Sequence, residues 1–395
     1  MTMTSLHVER ELRLPDDLRV ARAQSAPHHG PRILFFSGGS ALNGISRHLK
    51  QYTYNSMHLI TPFDSGGSSQ VLRRAFDMPA VGELRSRLMA LADESVLGQP
   101  DVYALLSHRL PKSVAPADLQ AEVAQILSGT HPLIKAISKP MRQLIQTLLS
   151  SFATHVPRGF DYRNASIGNL ILAGGYLSHG RALEPVLFLM SKMVDVRGLV
   201  RAVVDESLHL GVDLADGRRI VSQRLISGKE APPIDSPIRR CFLSDGTGAL
   251  PPDQVPLPQR NATLIEQADV ICYPPGSLYS SVIANLLPAG VGRAIAARRI
   301  PKAYLPSLGQ DPEALGHDLG DQVAAILAPL REDAGAALPA RACSTHVLCD
   351  LSWSEQHCAT VTERHGIPCL RLPLRQQDAP KYDPQEVARL LVSLD

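Results

Sequence analysis

The sequence has few cysteines, almost no charge excess and no long apolar run, and each absence excludes a class of protein. Its 395 residues carry 40 lysines and arginines against 38 aspartates and glutamates, a formal net charge of +2. No basic surplus therefore indicates nucleic-acid binding. Six cysteines in so long a chain are too few for a disulfide scaffold. No stretch of about 18 uncharged apolar residues occurs, so the sequence predicts no membrane-spanning helix.

The first 30 residues are polar and charged, without a sustained hydrophobic period. They lack the apolar core of a signal peptide, and we therefore expect a cytoplasmic protein with reduced thiols. We interpret residues 1–30 as a flexible or loosely docked arm and residues 31–395 as a single α/β domain. With 44% hydrophobic residues, the chain has the composition of a protein that buries a substantial core.

Apolar runs that end in glycine and serine predict a Rossmann-like fold, with a mainly parallel sheet and helices on both faces. Ile33–Phe36 is apolar at every position, which favours a strand that is buried on both sides. The run stops at Ser37–Ser40. A helical pattern over 41–50 and a second predicted strand over 57–60 complete a βαβ unit.

Further along the chain, the pattern predicts an inserted helical region and a small β-hairpin. Residues from about 95 to 160 show helical spacing without a strand pattern. Asp216–Gly217, between two short apolar runs, is typical of a hairpin turn. We interpret the proline- and glycine-rich stretch 228–258 as a surface connection. Two further strands are predicted at 269–273 and 302–305.

The first motif that could carry chemistry follows the first strand. Gly38 and Gly39 allow the backbone to approach a ligand closely, and the helix after them directs N–H groups and its positive end outward, which suits a phosphate. Ser40 and Asn43 belong to the same motif. The P-loop lysine is absent, which argues against an ATPase of that class. The motif is compatible both with phosphate binding and with a simple strand-to-helix turn.

Two carboxylates follow the second strand. Asp64 opens a turn that continues with Gly66, Gly67 and Ser68. An acid in this position can hold a ribose hydroxyl or ligate Mg²⁺ beside a phosphate. Glu83 lies at the start of a predicted helix over 82–91. There it either caps the helix dipole or serves as a second oxygen ligand of the same ion.

A second small-residue turn, with Gly276 and Ser277, follows the strand at 269–273 and opens a predicted helix over 278–287. Two such turns in one parallel sheet can hold the two phosphates of a diphosphate across a topological switch point. Asn169, near the start of another apolar helix, is either an N-cap residue or a ligand contact.

Cysteine and histidine are concentrated near the C-terminus, at Cys343, His346, Cys349, His357, Cys358, His365 and Cys369. Their spacings contain no C-x₂-C pair, and their apolar neighbours are typical of buried strands. We therefore interpret them as buried residues rather than as zinc ligands.

Together these motifs resemble the CofD-like superfamily, which comprises 2-phospho-L-lactate transferases and YvcK-type gluconeogenesis factors. Within it, the sequence is most similar to the GAK-system CofD-like branch. The resemblance is carried by SGGSALNGISRHLK, DSGGSSQVLRR with PAVGELRSRLMALA, GNLILAGG and ADVICYPPGSLYSSVIANLL. It implies a Rossmann-like core that holds a nucleotide diphosphate. In the transferases, a phospholactyl group passes from a guanosine diphosphate donor to an alcohol of coenzyme F420 biosynthesis, with Mg²⁺ and release of GMP.

The resemblance also implies roles for individual positions. Asp64 and Glu83 would be the catalytic residues and the ligands of Mg²⁺. The nucleotide and its phosphates would be bound by Gly38, Gly39, Ser40, Asn43, Gly66, Gly67, Ser68, Asn169, Gly276 and Ser277. We accordingly predict a Mg²⁺-dependent transferase that acts on a nucleotide diphosphate of the GDP type or a UDP-sugar. A homodimer is left open as the oligomeric state.

A non-catalytic regulator is the alternative, which the YvcK-type branch implies. The second acid of the family's D-D-G-G turn is Ser65 in this chain, and its loss favours the alternative. Asp64 would then hold a ribose hydroxyl rather than a metal ion. The ligand of such a regulator would be a nucleotide sugar or a dinucleotide.

Overall fold

The large sheet of the protein is parallel and carries a smaller antiparallel sheet beside it. The computed structural model describes residues 11, 13–64, 66–95, 97–228, 231–377 and 379–395. The strands in this part of the chain are β1 (Ile33–Ser37), β2 (Met57–Ile60), β3 (Leu199–Ala202), β4 (His209–Leu214), β5 (Arg219–Val221), β6 (Ile238–Ser244), β7 (Val270–Tyr273), β8 (Lys302–Tyr304), β9 (His346–Asp350) and β10 (Cys369–Leu372). The parallel sheet has the order β10-β9-β8-β7-β1-β2-β3, and the antiparallel sheet has the order β5-β4-β6. The predicted Rossmann-like class is confirmed.

Helices connect and cover the strands. Within the described residues they are α1 (Asp17–Ser25), α2 (Asn43–Leu49), α3 (Gly67–Phe76), α4 (Gly82–Leu91), α5 (Pro100–Ser107), α6 (Pro116–Ser128), α7 (Pro132–Ala136), α8 (Lys139–His155), α9 (Ile167–Ser178), α10 (Glu184–Met193), α11 (Gln223–Ile226), α12 (Gln259–Gln267), α13 (Val291–Ala296), α14 (Leu319–Ala334), α15 (Ala340–Cys343), α16 (Glu355–His365) and α17 (Pro384–Val392). In the described ranges, none of these helices combines the length and the apolar character that crossing a membrane requires.

Strand β1 is buried on both of its faces, as its continuous apolar run predicts. Ile33 and Phe35 pack into an apolar cluster with residues of α2 and α17. Leu34 and Phe36 pack on the opposite face with residues of α13 and α14. Helices on both sides therefore exclude water from the centre of the sheet.

The strand order reverses between β1 and β7. β1 pairs with β2 on one side and with β7 on the other. The chain builds the sheet outward from β1 through β2 and β3, and then outward in the other direction from β7 to β10. In open α/β sheets, ligands bind at such a switch point, outside the carboxyl ends of the strands. The two small-residue turns lie at this place.

The helical insertion expected at 95–160 is present as α5 to α8. These helices pack with α3, α4, α9 and α10 into an apolar cluster that is separate from the clusters on the other side of the sheet. The backbones of α8 and α9 come very close, because a Cβ at Gly174 would lie 1.9 Å from the carbonyl oxygen of Leu148. The insertion is therefore tightly packed against the helices that border the carboxyl edge of β2.

The N-terminal region differs from the expectation of a loose arm. Residues 1–10 and 12 lie outside the described residues. Residues 17–25 form α1, and the Asp16 side chain accepts hydrogen bonds at its N-terminus. Val20 and Ala23 are buried in the cluster that contains α17. Together with the hydrogen bond from the Asp16 N–H group to Ser393 and the ion pair of Asp17 with Arg389, they dock α1, so the expectation of a flexible or loosely docked arm does not hold for residues 17–25.

The stretch 228–258 is also more than a surface connection. Ile238–Ser244 forms β6, which pairs with β4 in antiparallel register. Phe242 and Leu243 are buried, whereas Arg239 and Arg240 are exposed. Prolines and glycines on both sides of this short segment conceal it in the sequence.

Candidate functional site

Two adjoining cavities open at the carboxyl ends of the parallel strands. The larger has a volume of about 570 Å³ and is lined by both small-residue turns, including Gly38, Gly39, Ser40, Gly276 and Ser277. The smaller, of about 320 Å³, shares Gly39 and Ser40 with it. A Cβ at Gly38 would lie 3.2 Å from Cα of Ser281. The two turns therefore converge, as the sequence analysis expects.

Glycine at the first turn lets the backbone lie directly against a carboxylate. A Cβ at Gly38 would lie 2.7 Å from Oε2 of Glu83 and 2.7 Å from Oγ1 of Thr61. Gly39 has a φ of +61°, a left-handed conformation that glycine adopts at little cost. Thr61 donates a hydrogen bond of 2.9 Å to Oε2 of Glu83. The predicted phosphate turn and one predicted metal ligand are thus adjacent.

A buried arginine lies behind the same turn. Arg87 is 1% exposed, and its guanidinium donates to Oγ of Ser46 over 2.6 Å and to the carbonyl oxygen of Gly39 over 3.5 Å. Burial lowers the pKa of Arg87 to about 9, while attraction to the Glu83 carboxylate opposes this shift. The side chain therefore stays charged at neutral pH and places a positive charge behind the turn.

The smaller cavity combines acids with arginines. Asp64 and Glu83 both line it, and so do Arg85, Arg109 and Arg224. Burial lowers the pKa of Arg85 to about 10, and repulsion from Arg109 adds to this effect. Carboxylate oxygens are ligands that Mg²⁺ takes, and guanidinium groups bind phosphate oxygens. The donor set therefore fits a magnesium ion beside a phosphate.

Most other predicted positions lie at the same cavity. Gly66–Ser68 line it, and the N–H group of Gly66 donates to Oδ1 of Asp64 over 3.0 Å. Asn43 belongs to neither lining. Its Nδ2 instead donates to Oγ of Ser86 over 2.8 Å, which ties α2 to α4.

Asn169 lines the smaller cavity and orients an arginine there. It is 1% exposed and lies in the first turn of α9, whose N-cap residue is Ser166. Its Oδ1 accepts a hydrogen bond of 2.9 Å from Nε of Arg85, and its Nδ2 donates to Oγ of Ser68 over 3.1 Å. Asn169 is therefore not the N-cap, and its polar atoms fix the position of Arg85.

The three cavity arginines are absent from the sequence-based site. Arg85 is the one with a local signal, because it follows Glu83 by two residues in a motif segment. Arg109 comes from the inserted helical region and Arg224 from α11, after the hairpin. No spacing rule connects these segments, so only the folded chain reveals that they share a cavity.

The second turn is built differently from the prediction. Instead of an α-helix over 278–287, one π-helical turn (Leu278–Val282) is followed by a 3₁₀ segment (Ile283–Leu286). The Leu278 N–H group donates to Oδ2 of Asp311 over 2.7 Å.

The next two N–H groups also have partners within the chain. Those of Tyr279 and Ser280 donate to Oε2 of the fully buried Glu313, over 3.0 and 2.8 Å. The expectation that this helix start receives an anion is wrong for these groups, because carboxylates of the chain already occupy them. Ligand contacts of Gly276 and Ser277 stay a prediction.

Comparison with known proteins identifies the family. The family model described as "2-phospho-L-lactate transferase CofD" matches residues 33–368. The chain belongs to the CofD family.

Proteins named as gluconeogenesis factors are similar to this chain over about three quarters of its length. The "Gluconeogenesis factor" of Bacillus subtilis (strain 168) is 29% identical over 298 residues, which are 75% of this chain and 74% of that protein. The "Putative gluconeogenesis factor" of Nostoc sp. is 29% identical over 300 residues, 76% of this chain but only 52% of the relative. The chain thus spans about half the length of the latter. The superfamily resemblance seen in the sequence is confirmed.

A solved structure has the same fold. A protein of the UPF0052 family from Bacillus halodurans superposes with a TM-score of 0.64 at 22% sequence identity. The superposition covers 92% of this chain and 99% of that protein. The parallel sheet with its helices is therefore an architecture that this chain shares with that protein.

Proposed function

We propose that this CofD family member is a Mg²⁺-dependent transferase that acts on a nucleotide diphosphate donor. The observation that supports the proposal most is the common lining of one cavity by Asp64, Glu83 and three arginines. Carboxylates alone would repel a phosphate, whereas arginines alone would bind it without a metal ion. Both together suit a phosphate that is bound with its cation.

The ligand would lie across the first turn, with its nucleoside in the larger cavity. A volume of about 570 Å³ is within the usual range of small-molecule sites. The diphosphate would follow the backbone of Gly38–Ser40 above the buried charge of Arg87. The group to be transferred would then reach the arginines of the smaller cavity.

The two carboxylates would hold the metal ion, and both are positioned by neighbours. Thr61 donates to Glu83, and the Gly66 N–H group donates to Asp64. Bound there, Mg²⁺ would supply positive charge beside the phosphate oxygens. Arg85, held by Asn169, would bind a nonbridging oxygen and keep the phosphoryl group in place.

The reaction would be attack of an acceptor hydroxyl on the β-phosphoryl group. A new P–O bond forms to the acceptor oxygen, while the P–O bond to the nucleoside monophosphate breaks. The acceptor proton is released to water, and the monophosphate leaves with the bond electrons. For the GDP-type donor the leaving product is GMP.

A regulator that binds a nucleotide sugar without turnover is the second candidate. The names of the relatives from Bacillus subtilis and Nostoc favour it, and so does Ser65 at the position of the family's second acid. In this case Asp64 would accept a hydrogen bond from a ribose hydroxyl. Binding would then be independent of a divalent cation.

Calorimetric titration with GDP and a UDP-sugar, in Mg²⁺ and after chelation, separates the two candidates. For the transferase we expect Mg²⁺ to tighten GDP binding at least tenfold, and this gain should vanish in Asp64→Asn and Glu83→Gln. Glu332→Gln is the control, since Glu332 is exposed and lies 3.7 Å from Arg240 at the surface. Equal affinity with and without Mg²⁺ would rule out the transferase proposal and support the regulator.

A homodimer and a cytoplasmic location stay predictions. Size-exclusion chromatography checks the oligomeric state.

A further inference from the structure

Three cysteines that are far apart in sequence meet beside the last strands of the large sheet. Cys349 lies on β9, Cys358 on α16 and Cys369 on β10. Their sulfur atoms all lie within 4.8 Å of one another. Across the described residues, this is the one group of three or more His, Cys, Asp or Glu side chains close enough to share a metal ion.

The cluster is buried but retains one accessible side. Cys349 is 0% and Cys358 is 8% exposed, and both belong to the apolar cluster of that face of the sheet. Cys369 is half-buried and packs against the same cluster. A small ion and a water molecule could therefore reach the three sulfur atoms past Cys369.

A cation compensates for negative charge at this place. The strand register sets Arg371 directly opposite Cys349. The Arg371 guanidinium donates to Glu355 and to the carbonyl oxygen of Leu351, while its Nε is buried without an acceptor among the described residues. The Arg371 guanidinium therefore places positive charge beside the three cysteines.

We propose that Cys349, Cys358 and Cys369 bind a thiophilic divalent cation of the zinc class as thiolates. Zinc–sulfur bonds of about 2.3 Å place sulfur atoms roughly 3.8 Å apart in a tetrahedral site, so a small contraction completes the geometry. Three thiolates and a divalent ion leave one negative charge, which Arg371 offsets in part, since it also pairs with Glu355. Because no fourth His, Cys, Asp or Glu of the described chain joins the group, water takes the fourth position beside Cys369.

The register makes a disulfide between the two strand cysteines a poor alternative. Cys369 pairs with Val347, two residues before Cys349. In neighbouring parallel strands this offset separates the two Cα atoms by about 8 Å, which exceeds the reach of a disulfide. A shared ion needs only the sulfur atoms to converge.

The test uses the full-length protein after reduction and removal of metals. Co²⁺ serves as an optical probe, because cobalt bound by thiolates gives an intense sulfur-to-metal charge-transfer absorption. We expect one equivalent of Co²⁺ to bind with this absorption, and Zn²⁺ to displace it. In Cys358→Ala at most two cobalt–sulfur bonds remain, so the absorption per bound cobalt should fall by about a third or more, and the affinity for Zn²⁺ should fall more than about 100-fold. Affinity in the wild type should also decline as pH falls, because thiol protons compete with the ion.

Two controls separate this cluster from other sites. Cys241→Ala removes a half-buried cysteine of β6 outside the cluster and should leave binding unchanged. Asp64→Asn should also retain the cobalt spectrum, so the result is independent of the proposed transferase site. A cobalt spectrum without charge transfer, or equal Zn²⁺ affinity of Cys358→Ala and the wild type, overturns the proposal. If Cys358→Ala does not fold by circular dichroism, Cys369→Ser at the half-buried position decides in its place.

Discussion

The turns after β1 and β7 look alike in sequence, but charges of opposite sign complete them. Behind the first turn lies the buried cation Arg87, which donates to the Gly39 carbonyl oxygen. Beside the second lie the carboxylates of Asp311 and Glu313, which accept from the N–H groups of Leu278 to Ser280. Both turns line the larger cavity. The first turn therefore has both a cation and the Glu83 carboxylate beside it, which suits an anion that binds together with its metal ion, whereas carboxylates of the chain already occupy the N–H groups after the second.

A glycine turn before a helix thus predicts that the first N–H groups of the helix need hydrogen-bond acceptors. It does not predict whether a ligand or a side chain of the protein provides them. The first N–H groups of any helix have no partner within the helix. A ligand can satisfy them, but so can a side chain from a distant loop. At the second turn the loop after β8 provides both carboxylates, and the π-helical geometry of Leu278–Val282 accompanies this arrangement.

The largest effect is expected from Glu313→Ala at the second turn. The fully buried carboxylate accepts from the N–H groups of Tyr279 and Ser280 and, over 2.5 Å, from Oγ of Ser280. Its removal leaves these buried donors without their acceptor and should lower the free energy of unfolding by about 3–5 kcal/mol. Denaturant unfolding measures this loss, with the exposed Glu332→Ala as control. A loss below about 1 kcal/mol would contradict the idea that Glu313 completes the turn.

The next effect concerns the first turn, where Gly38→Ala should impair binding. The added Cβ must displace Oε2 of Glu83 and Oγ1 of Thr61, because Cα of Ser281 at 3.2 Å prevents a backbone shift away from them. We expect the Mg²⁺-dependent affinity for GDP to fall at least tenfold, or about 1.4 kcal/mol. Gly248→Ala, where no heavy atom lies within 4 Å, should bind as the wild type does. Unchanged affinity in Gly38→Ala would remove Glu83 from the proposed site.

Local patterns predict the sheet and the convergence of the two small-residue turns well. The uninterrupted apolar run of β1 reflects burial on both faces, and the turn at Asp216–Gly217 correctly places β4 and β5. The switch point follows from strand order, so the convergence of the two turns could be predicted without coordinates. Periodic patterns do not predict the packing of a helix that buries only one or two residues, as with Val20 and Ala23 of α1.

The details of the site depend on contacts between distant segments. Arg109 and Arg224 reach the cavity from the inserted region and from α11, and Glu313 reaches the second turn from the loop after β8. Cys358 similarly meets the two strand cysteines only because α16 packs on β10. A single side chain at such a contact leaves no periodic trace in the sequence.

The free energy of unfolding should depend on pH through a buried histidine close to Arg87. His58 on β2 is 0% exposed, and burial, followed by repulsion from Arg87, holds its pKa well below the ordinary value of 6.5. Below about pH 6.5 the unfolded chain therefore binds a proton that the folded chain does not. The free energy of unfolding should fall by about 1 kcal/mol between pH 6.5 and 5.5 through this group. In His58→Gln the free energy of unfolding should lose this part of its pH dependence, whereas the exposed His179→Gln should retain it. Equal pH dependence in the wild type and both variants would contradict the prediction.

The smallest effect is expected when the cation behind the first turn is removed by Arg87→Met. Removing a buried charge also removes the cost of its burial, and Oγ of Ser46 retains its bond to the Leu42 carbonyl oxygen, so stability should change by less than about 1 kcal/mol. The affinity for GDP in the absence of Mg²⁺ should fall about threefold, or roughly 0.7 kcal/mol, whereas Arg240→Met at the surface should have no effect. Glu313→Ala and Arg87→Met would then act on different quantities, the first on folding and the second on binding. An Arg87→Met chain that loses stability but keeps its affinity would show that both buried charges serve the fold, and the contrast between the two turns would no longer explain where the ligand binds.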